Sequence, residues 1–316
     1  MATGVFVKMP VQAHHREQIC QAAVGCDVYF GQIPDTVSPE DVNIVIGNLS
    51  AEEIDRLPNV RLAQLNSAGV STAYIDWMKR TDGLRLCNAS GAYGLAISEH
   101  MFGVLLGLQK RLFAYRDQQA DGAWRDLGNV ASVYGANVLV IGLGDIGGEF
   151  ARRCKAFGAK VTGVRRSRRS CPEYCDRVAL FSDIDRLLPE ADIVFMSVPE
   201  TPQTIGLMSR ARINAMKPTA ILLNAGRGTA IDTDALVDAL REERLFGAGL
   251  DVTDPEPLPE DHPLWKCENA FVTPHVSGGY HLSITHDRIV SIACRNIRAC
   301  LEGGPLVNEV QPERGY

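Results

Sequence analysis

Residues 137–150, NVLVIGLGDIGGEF, decide the fold. The continuous apolar run VLVI reads as a strand covered on both faces, because a strand with one wet face would alternate. Gly142, Gly144 and Gly147 follow it at once, and then Phe150, Ala151, Cys154 and Phe157 recur at helical spacing. The first glycine permits a tight turn, the second lets backbone approach a pyrophosphate, and the third lets helix and strand pack closely. The unpaired N–H groups at the start of the helix then face an anion. Strand before, helix after and a further strand beyond make this a dinucleotide-binding turn rather than a bare glycine-rich loop.

The same alternation extends in both directions. Downstream, residues 160–164, 192–198, 220–225, 248–252 and 270–273 read as strands. Upstream, residues 4–9, 27–30, 43–48, 61–67 and 85–90 do so, with helical spacing in 11–25 and 51–57. Short β-rich runs bounded by Gly, Pro, Asn or Asp, separated by helices, predict parallel sheets. Between the blocks one long helix is expected from about Ile97 to Gly122. It is carried by Ala96, Met101, Val104, Leu105, Leu108 and Leu112, with Glu99 early and Lys110 and Arg111 late to suit the helix dipole. A last helix, 282–302, would bury Ile284, Ile289, Ile292, Ala293 and Ile297.

A chain of 316 residues is long enough for two domains. Its apolar share of 46% and charged share of 22% are those of a soluble globular protein. The net charge of −6 argues against broad binding of nucleic acid or anionic membranes. Nine cysteines stand without a framework, and CPEYC (171–175) has neither zinc-knuckle nor thioredoxin spacing, so reduced thiols and a cytoplasmic location are expected. MATGVFVKMP has no signal-peptide core, and no apolar run is long enough for a membrane span.

Two further features bear on chemistry. NAD-selective sites usually carry an acid at the end of the strand after the fingerprint, where it binds the ribose hydroxyls. Here Arg165, Arg166, Ser167, Arg168 and Arg169 occupy that place. No acid repels a 2′-phosphate and guanidinium forks fit one, so NADP is favoured, with NAD as the alternative. Arg227 in LLNAGRG, Glu256 in DVTDPEPL and His275 in FVTPHVSG each follow a predicted strand. A cation at a strand's carboxyl end can hold a carboxylate and polarise the adjacent carbonyl. An imidazole can move a proton to or from that carbonyl's oxygen, and a carboxylate beside it would steady the charged ring. Asp251, also at a strand end, is placed to hold a nicotinamide amide. The other histidines, among them His100, have no comparable company and read as packing, capping or exposed groups.

With these residues in view the chain resembles the D-isomer-specific 2-hydroxyacid dehydrogenase family. The likeness runs through NSAGV (66–70), ISEHMFGVLLGL (97–108), GLGDIG (142–147), VPETPQT (198–204), NAGRGTAIDTDAL (224–236), GLDVTDPEPL (249–258), TPHVSGG (273–279) and GGPLVNEV (303–310). It implies a two-domain α/β protein in which a Rossmann domain, 97–283, is inserted into a flavodoxin-like substrate domain, 1–96 plus 284–316. Catalysis would lie in a cleft closed by hinge motion. The resemblance assigns catalysis to Arg227, Glu256 and His275, and a substrate-carboxylate loop to the backbone of Ala68 and Gly69. It assigns cofactor contacts to Asp145 and Ile146 within the fingerprint, and to Arg165, Arg166, Ser167, Val198, Pro199, Thr204, Ala225, Asp251 and Gly278. It also implies a homodimer joined through the Rossmann domains. Ser71 replaces the Asp that often follows GAGV, and Tyr134-Gly135 replaces the usual apolar-x-Gly-Lys approach to the fingerprint.

The expected activity is hydride transfer between NADP(H) and a small 2-oxo acid or D-2-hydroxy acid, such as glyoxylate or hydroxypyruvate. Pocket walls are expected near Asn66, Tyr93 and residues 124–134. The alternatives are the same scaffold acting on phosphite or formate, and a dinucleotide-sensing, corepressor-like protein without turnover.

Overall fold

The computed structural model describes residues 3–167 and 170–311. Arg168 and Arg169 of the basic run lie outside the described residues. The chain divides into two compact units, residues 1–93 with 280–316 and residues 94–279.

The first unit opens with β1 (Thr3–Val7), α1 (Ala13–Ala22), β2 (Cys26–Phe30), β3 (Val42–Ile46), α2 (Ala51–Asp55), β4 (Leu62–Gln64), α3 (Thr72–Arg80) and β5 (Arg85–Cys87). Its sheet is parallel, in the order β2-β1-β3-β4-β5. That is the flavodoxin-like order that the family resemblance implies. Ser50 starts α2 by accepting from Glu53 N–H while the Glu53 carboxylate accepts from Ser50 N–H at 2.8 Å, a reciprocal cap written in SxxE.

The second unit holds α4 (Gly94–Gln109), α5 (Leu112–Ala120), β6 (Asn137–Ile141), α6 (Asp145–Ala156), β7 (Lys160–Arg165), β8 (Arg177–Leu180), α7 (Ile184–Leu187), β9 (Ile193–Met196), α8 (Arg210–Asn214), β10 (Ile221–Asn224), α9 (Thr233–Arg241), β11 (Gly247–Leu250) and β12 (Ala270–Val272). Seven parallel strands lie in the order β12-β11-β10-β9-β6-β7-β8. Counted from β6 this is 3-2-1-4-5-6-7, a Rossmann sheet with one added edge strand. β6, β9 and β10 are buried along nearly their whole length. Phe150 and Phe195, both fully buried, stack at 4.0 Å between ring centroids and join α6 to the sheet. Phe195→Ala is expected to lower the unfolding free energy by about 3–5 kcal/mol, followed by urea denaturation; a loss below about 1 kcal/mol would show that the ring is not packed as described.

The chain returns to the first unit through α10 (Ser283–Glu302), closed by Gly303 at φ 71°. Asn296 on α10 is fully buried; its amide donates to the Gln64 side chain at 2.6 Å and accepts from Val307 N–H at 2.7 Å. The tail then lays Glu309 against Cys87, and Arg85 grips the Glu309 carboxylate through two hydrogen bonds of 2.7 and 2.9 Å.

Three expectations are corrected. The single helix over 97–122 is two, because Arg111 adopts φ 54° and turns the chain. That turn sets Phe113 against Gly107, where a Cβ would lie 2.4 Å from the ring, and stacks it on Phe271 at 3.8 Å. β8 was not anticipated, since RVAL is short and only half-buried. Ile284 is exposed, so the apolar face of α10 begins one turn later.

Candidate active site

Register places the site before any side chain is considered. Ile141, Met196, Asn224, Leu250 and Val272 pair in succession across β6, β9, β10, β11 and β12. All five strands are parallel, so the residues just beyond them emerge along one sheet edge. Gly142, Val198, Ala225, Arg227, Asp251, Glu256 and His275 all lie on those exits.

The structure brings Glu256 and His275 together, with His275 Nδ1 2.5 Å from Glu256 Oε1. Both side chains are about half exposed. With Nδ1 donating to the carboxylate, Nε2 is the ring atom left to exchange a proton, and it has no partner among the described residues. His275 stands at φ 51°, a left-handed conformation that histidine tolerates better than most residues.

Asp251 holds that conformation. Its carboxylate, 2% exposed, accepts from the Thr273 hydroxyl at 2.6 Å, from Val276 N–H at 3.0 Å and from Ser277 N–H at 3.1 Å, and it also takes the Ser277 hydroxyl. The partners flank His275 on both sides, so the buried carboxylate shapes the histidine loop. Thr273, donating to Asp251, is approached on its other side by His100 Nε2 at 3.1 Å. His100 is therefore a buttress of the loop and not a helix cap. The sequence reading missed Thr273 and Ser277; the signal was a strand-end Asp followed by a Thr and a Ser flanking the histidine.

Arg227 leaves β10 through a loop built by Asn224. This fully buried side chain accepts from Gly226 N–H at 3.0 Å and donates to the Arg227 carbonyl at 2.9 Å. A Cβ on Gly228 would lie 1.9 Å from the Thr253 carbonyl, so the arginine loop sits directly on the segment leading to Glu256. The guanidinium donates to Gly226 O at 2.7 Å, and its remaining N–H groups have no partner among the described residues. Among the described residues no carboxylate pairs with it.

The fingerprint glycines divide their work. A Cβ on Gly142 would meet the Ser197 carbonyl at 2.7 Å, and one on Gly147 would meet the Gly142 carbonyl at 1.9 Å. Around Gly144 a Cβ would meet nothing within 4 Å, which leaves room above the start of α6. The Asp145 carboxylate accepts from Gly94 N–H at 2.7 Å and so caps α4 from across the unit. A pyrophosphate over this turn would meet backbone N–H groups such as that of Ile146. At the end of β7, Arg165 Nε is buried without a partner among the described residues, while Arg166 and Ser167 are exposed. Thr204, 5% exposed, spends its hydroxyl within its own turn, donating to Pro199 O at 2.6 Å. Ala225 and Gly278 are half-buried. The open turn and the orphaned Arg165 nitrogen fit a dinucleotide.

In the first unit, residues 66–69 form a half-buried loop in which Ser67 Oγ donates to the Gly69 carbonyl at 2.7 Å. The N–H groups of Ala68 and Gly69 have no partner among the described residues. Asn66 is a junction: its carbonyl accepts from Tyr93 and its amide donates to Tyr280. All nine cysteines are free. Burial pushes Cys175 up to about 11 and Cys87 up to about 12, so both are thiols near neutrality and poor nucleophiles.

The model of the D-isomer specific 2-hydroxyacid dehydrogenase NAD binding domain matches residues 102–277. The chain belongs to the D-isomer-specific 2-hydroxyacid dehydrogenase family. A glyoxylate reductase of Thermofilum pendens is 33% identical over 266 residues, covering 82% of this chain and 77% of that protein. Among solved structures, a family member from Aeromonas salmonicida superposes with a TM-score of 0.85 at 30% identity, over 99% of this chain and 100% of that one. A second, from Xanthobacter autotrophicus Py2, was solved in complex with NADPH and MES; it gives a TM-score of 0.81 at 25% identity, with all of both chains covered.

Proposed function

We propose that this chain is an NADP-preferring reductase of small 2-oxo acids, of the glyoxylate and hydroxypyruvate kind, that runs in reverse on D-2-hydroxy acids. The observation that carries the reading is the 2.5 Å His275–Glu256 pair, with an unneutralised Arg227 on the neighbouring strand's loop. Bound NADPH supplies the hydride to the carbonyl carbon. Arg227 holds the substrate carboxylate through its free N–H groups and polarises the carbonyl. His275 gives a proton from Nε2 to the carbonyl oxygen, and Glu256 fixes the ring through Nδ1. Family likeness and the glyoxylate reductase relative support the substrate class.

Arg165, with Arg166 and Ser167 beside it, is proposed to take the 2′-phosphate of NADP, as the NADPH complex of the Xanthobacter relative supports. Two chains joined through their Rossmann domains are the proposed assembly. Trp124, wholly exposed and followed by half-exposed Val130, gives that unit an apolar arm with no cover in the single chain. The nine free cysteines suit a cytoplasmic setting, and no described helix is long and apolar enough to cross a membrane.

The test is kcat/KM with glyoxylate, hydroxypyruvate and bulkier 2-oxo acids, each with NADPH and NADH. NADPH is expected to lead by about 10- to 100-fold, the worth of a charge-assisted hydrogen bond or two. Arg165→Ala should erase most of that lead. An NADH preference would overturn the cofactor assignment, and no turnover on any 2-oxo acid would overturn the function.

A further inference from the structure

Away from the sheet edges, α1 and α10 of the first unit bring three donor groups to one point. His14 Nε2 and His15 Nε2 lie 3.3 and 2.8 Å from the same oxygen of Asp287, Oδ1. The donor atoms all fall within 4.8 Å of one another. We propose that His14, His15 and Asp287 form a binding site for a divalent transition-metal ion of the zinc type, clasping the first helix of the unit to the last. Two imidazoles and a carboxylate suit zinc, cobalt or nickel and not the oxygen-seeking magnesium or calcium. Three protein ligands leave one position for water.

The site is built rather than incidental. His15 is 1% exposed and cannot turn to solvent, whereas His14 and Asp287 are about half exposed and give an ion a way in. His286, nearly buried, packs its ring 4.3 Å from that of His15 and is anchored by donating from Nε2 to the Pro10 carbonyl at 2.7 Å. It therefore braces His15 without competing for the ion. Without metal, His15 Nδ1 accepts from Gln12 N–H at a long 3.3 Å, so the ring proton sits on Nε2 towards Asp287. On binding, the ion takes the place of that proton between Nε2 and the carboxylate. In each of His14 and His15 the Nε2 hydrogen moves to Nδ1, and in His15 the 3.3 Å Gln12 N–H contact, then donor against donor, has to open, a cost set against the two metal–nitrogen bonds. The reactants and products carry the same protons, and only the tautomer changes.

The test uses the full-length chain with Co²⁺, whose visible absorption reports imidazole and carboxylate ligation, and Zn²⁺ as its competitor. One equivalent of Co²⁺ should bind near pH 7.5, be displaced by Zn²⁺, and raise the thermal midpoint. Loss of a ligand should weaken binding by more than the 10- to 100-fold that losing a supporting partner costs. His14→Ala, at an exposed position, should do this without loss of fold; Asp287→Asn, which keeps an acceptor for His15, should do the same. Absence of binding would overturn the site. Binding that survives both substitutions would also overturn it, as would the near-ultraviolet charge-transfer band of a thiolate, because the ion would then be elsewhere.

Discussion

His275→Ala is expected to lower kcat for 2-oxo-acid reduction by about 10²–10⁴-fold, the range for loss of a positioned general acid. The reason is local. Nδ1 is committed to Glu256 at 2.5 Å, and Nε2 is the ring nitrogen free to meet a carbonyl oxygen. NADPH binding should be little changed, since the fingerprint and Arg165 lie on other strands' exits. Stopped-flow turnover and cofactor titration on the same preparation separate the two quantities. Turnover within a few-fold of the parent enzyme would remove His275 from the reaction, and lost NADPH affinity would mean the substitution had disturbed the loop held by Asp251.

Arg227→Ala should lower kcat/KM by about 10²–10⁴-fold, two charge-assisted hydrogen bonds at roughly 1.5–3 kcal/mol each. Arg227→Lys should recover only part of the loss, because an ammonium carries the charge without the planar fork. Asn224 holds the loop from below and is untouched by either change, so the fold should persist. A kcat/KM equal to that of the parent enzyme would leave Arg227 a mere loop anchor.

The sequence spoke most clearly where one strong rule acted alone. VLVIGLGDIG required a strand, a turn that only glycine can make and a helix, and all three are there. The strands carrying Arg227, Glu256 and His275 were legible as short apolar runs, and parallel register then sets their ends side by side. Interactions that depend on distant residues were not legible. Nothing around Gly94 foretells that its N–H is capped by Asp145, fifty-one positions on. Asp251 is legible as a strand-end acid, but not the hydrogen bonds that its carboxylate accepts from Thr273, Val276 and Ser277. The break at Arg111 was hidden for a similar reason, since the apolar spacing continues through it while Phe113 is drawn to Gly107 and Phe271.

The stitching of the tail sets an order of birth. Residues 94–279 are contiguous and can close their sheet as soon as they leave the ribosome. The first unit cannot: although its five strands emerge earliest, Gln64 waits for Asn296, and Arg85 waits for Glu309. Of the two units, the one begun first is thus the last to be finished. A chain halted after residue 279 would hold all of the second unit's strands, while its first unit still lacked both Asn296 and Glu309.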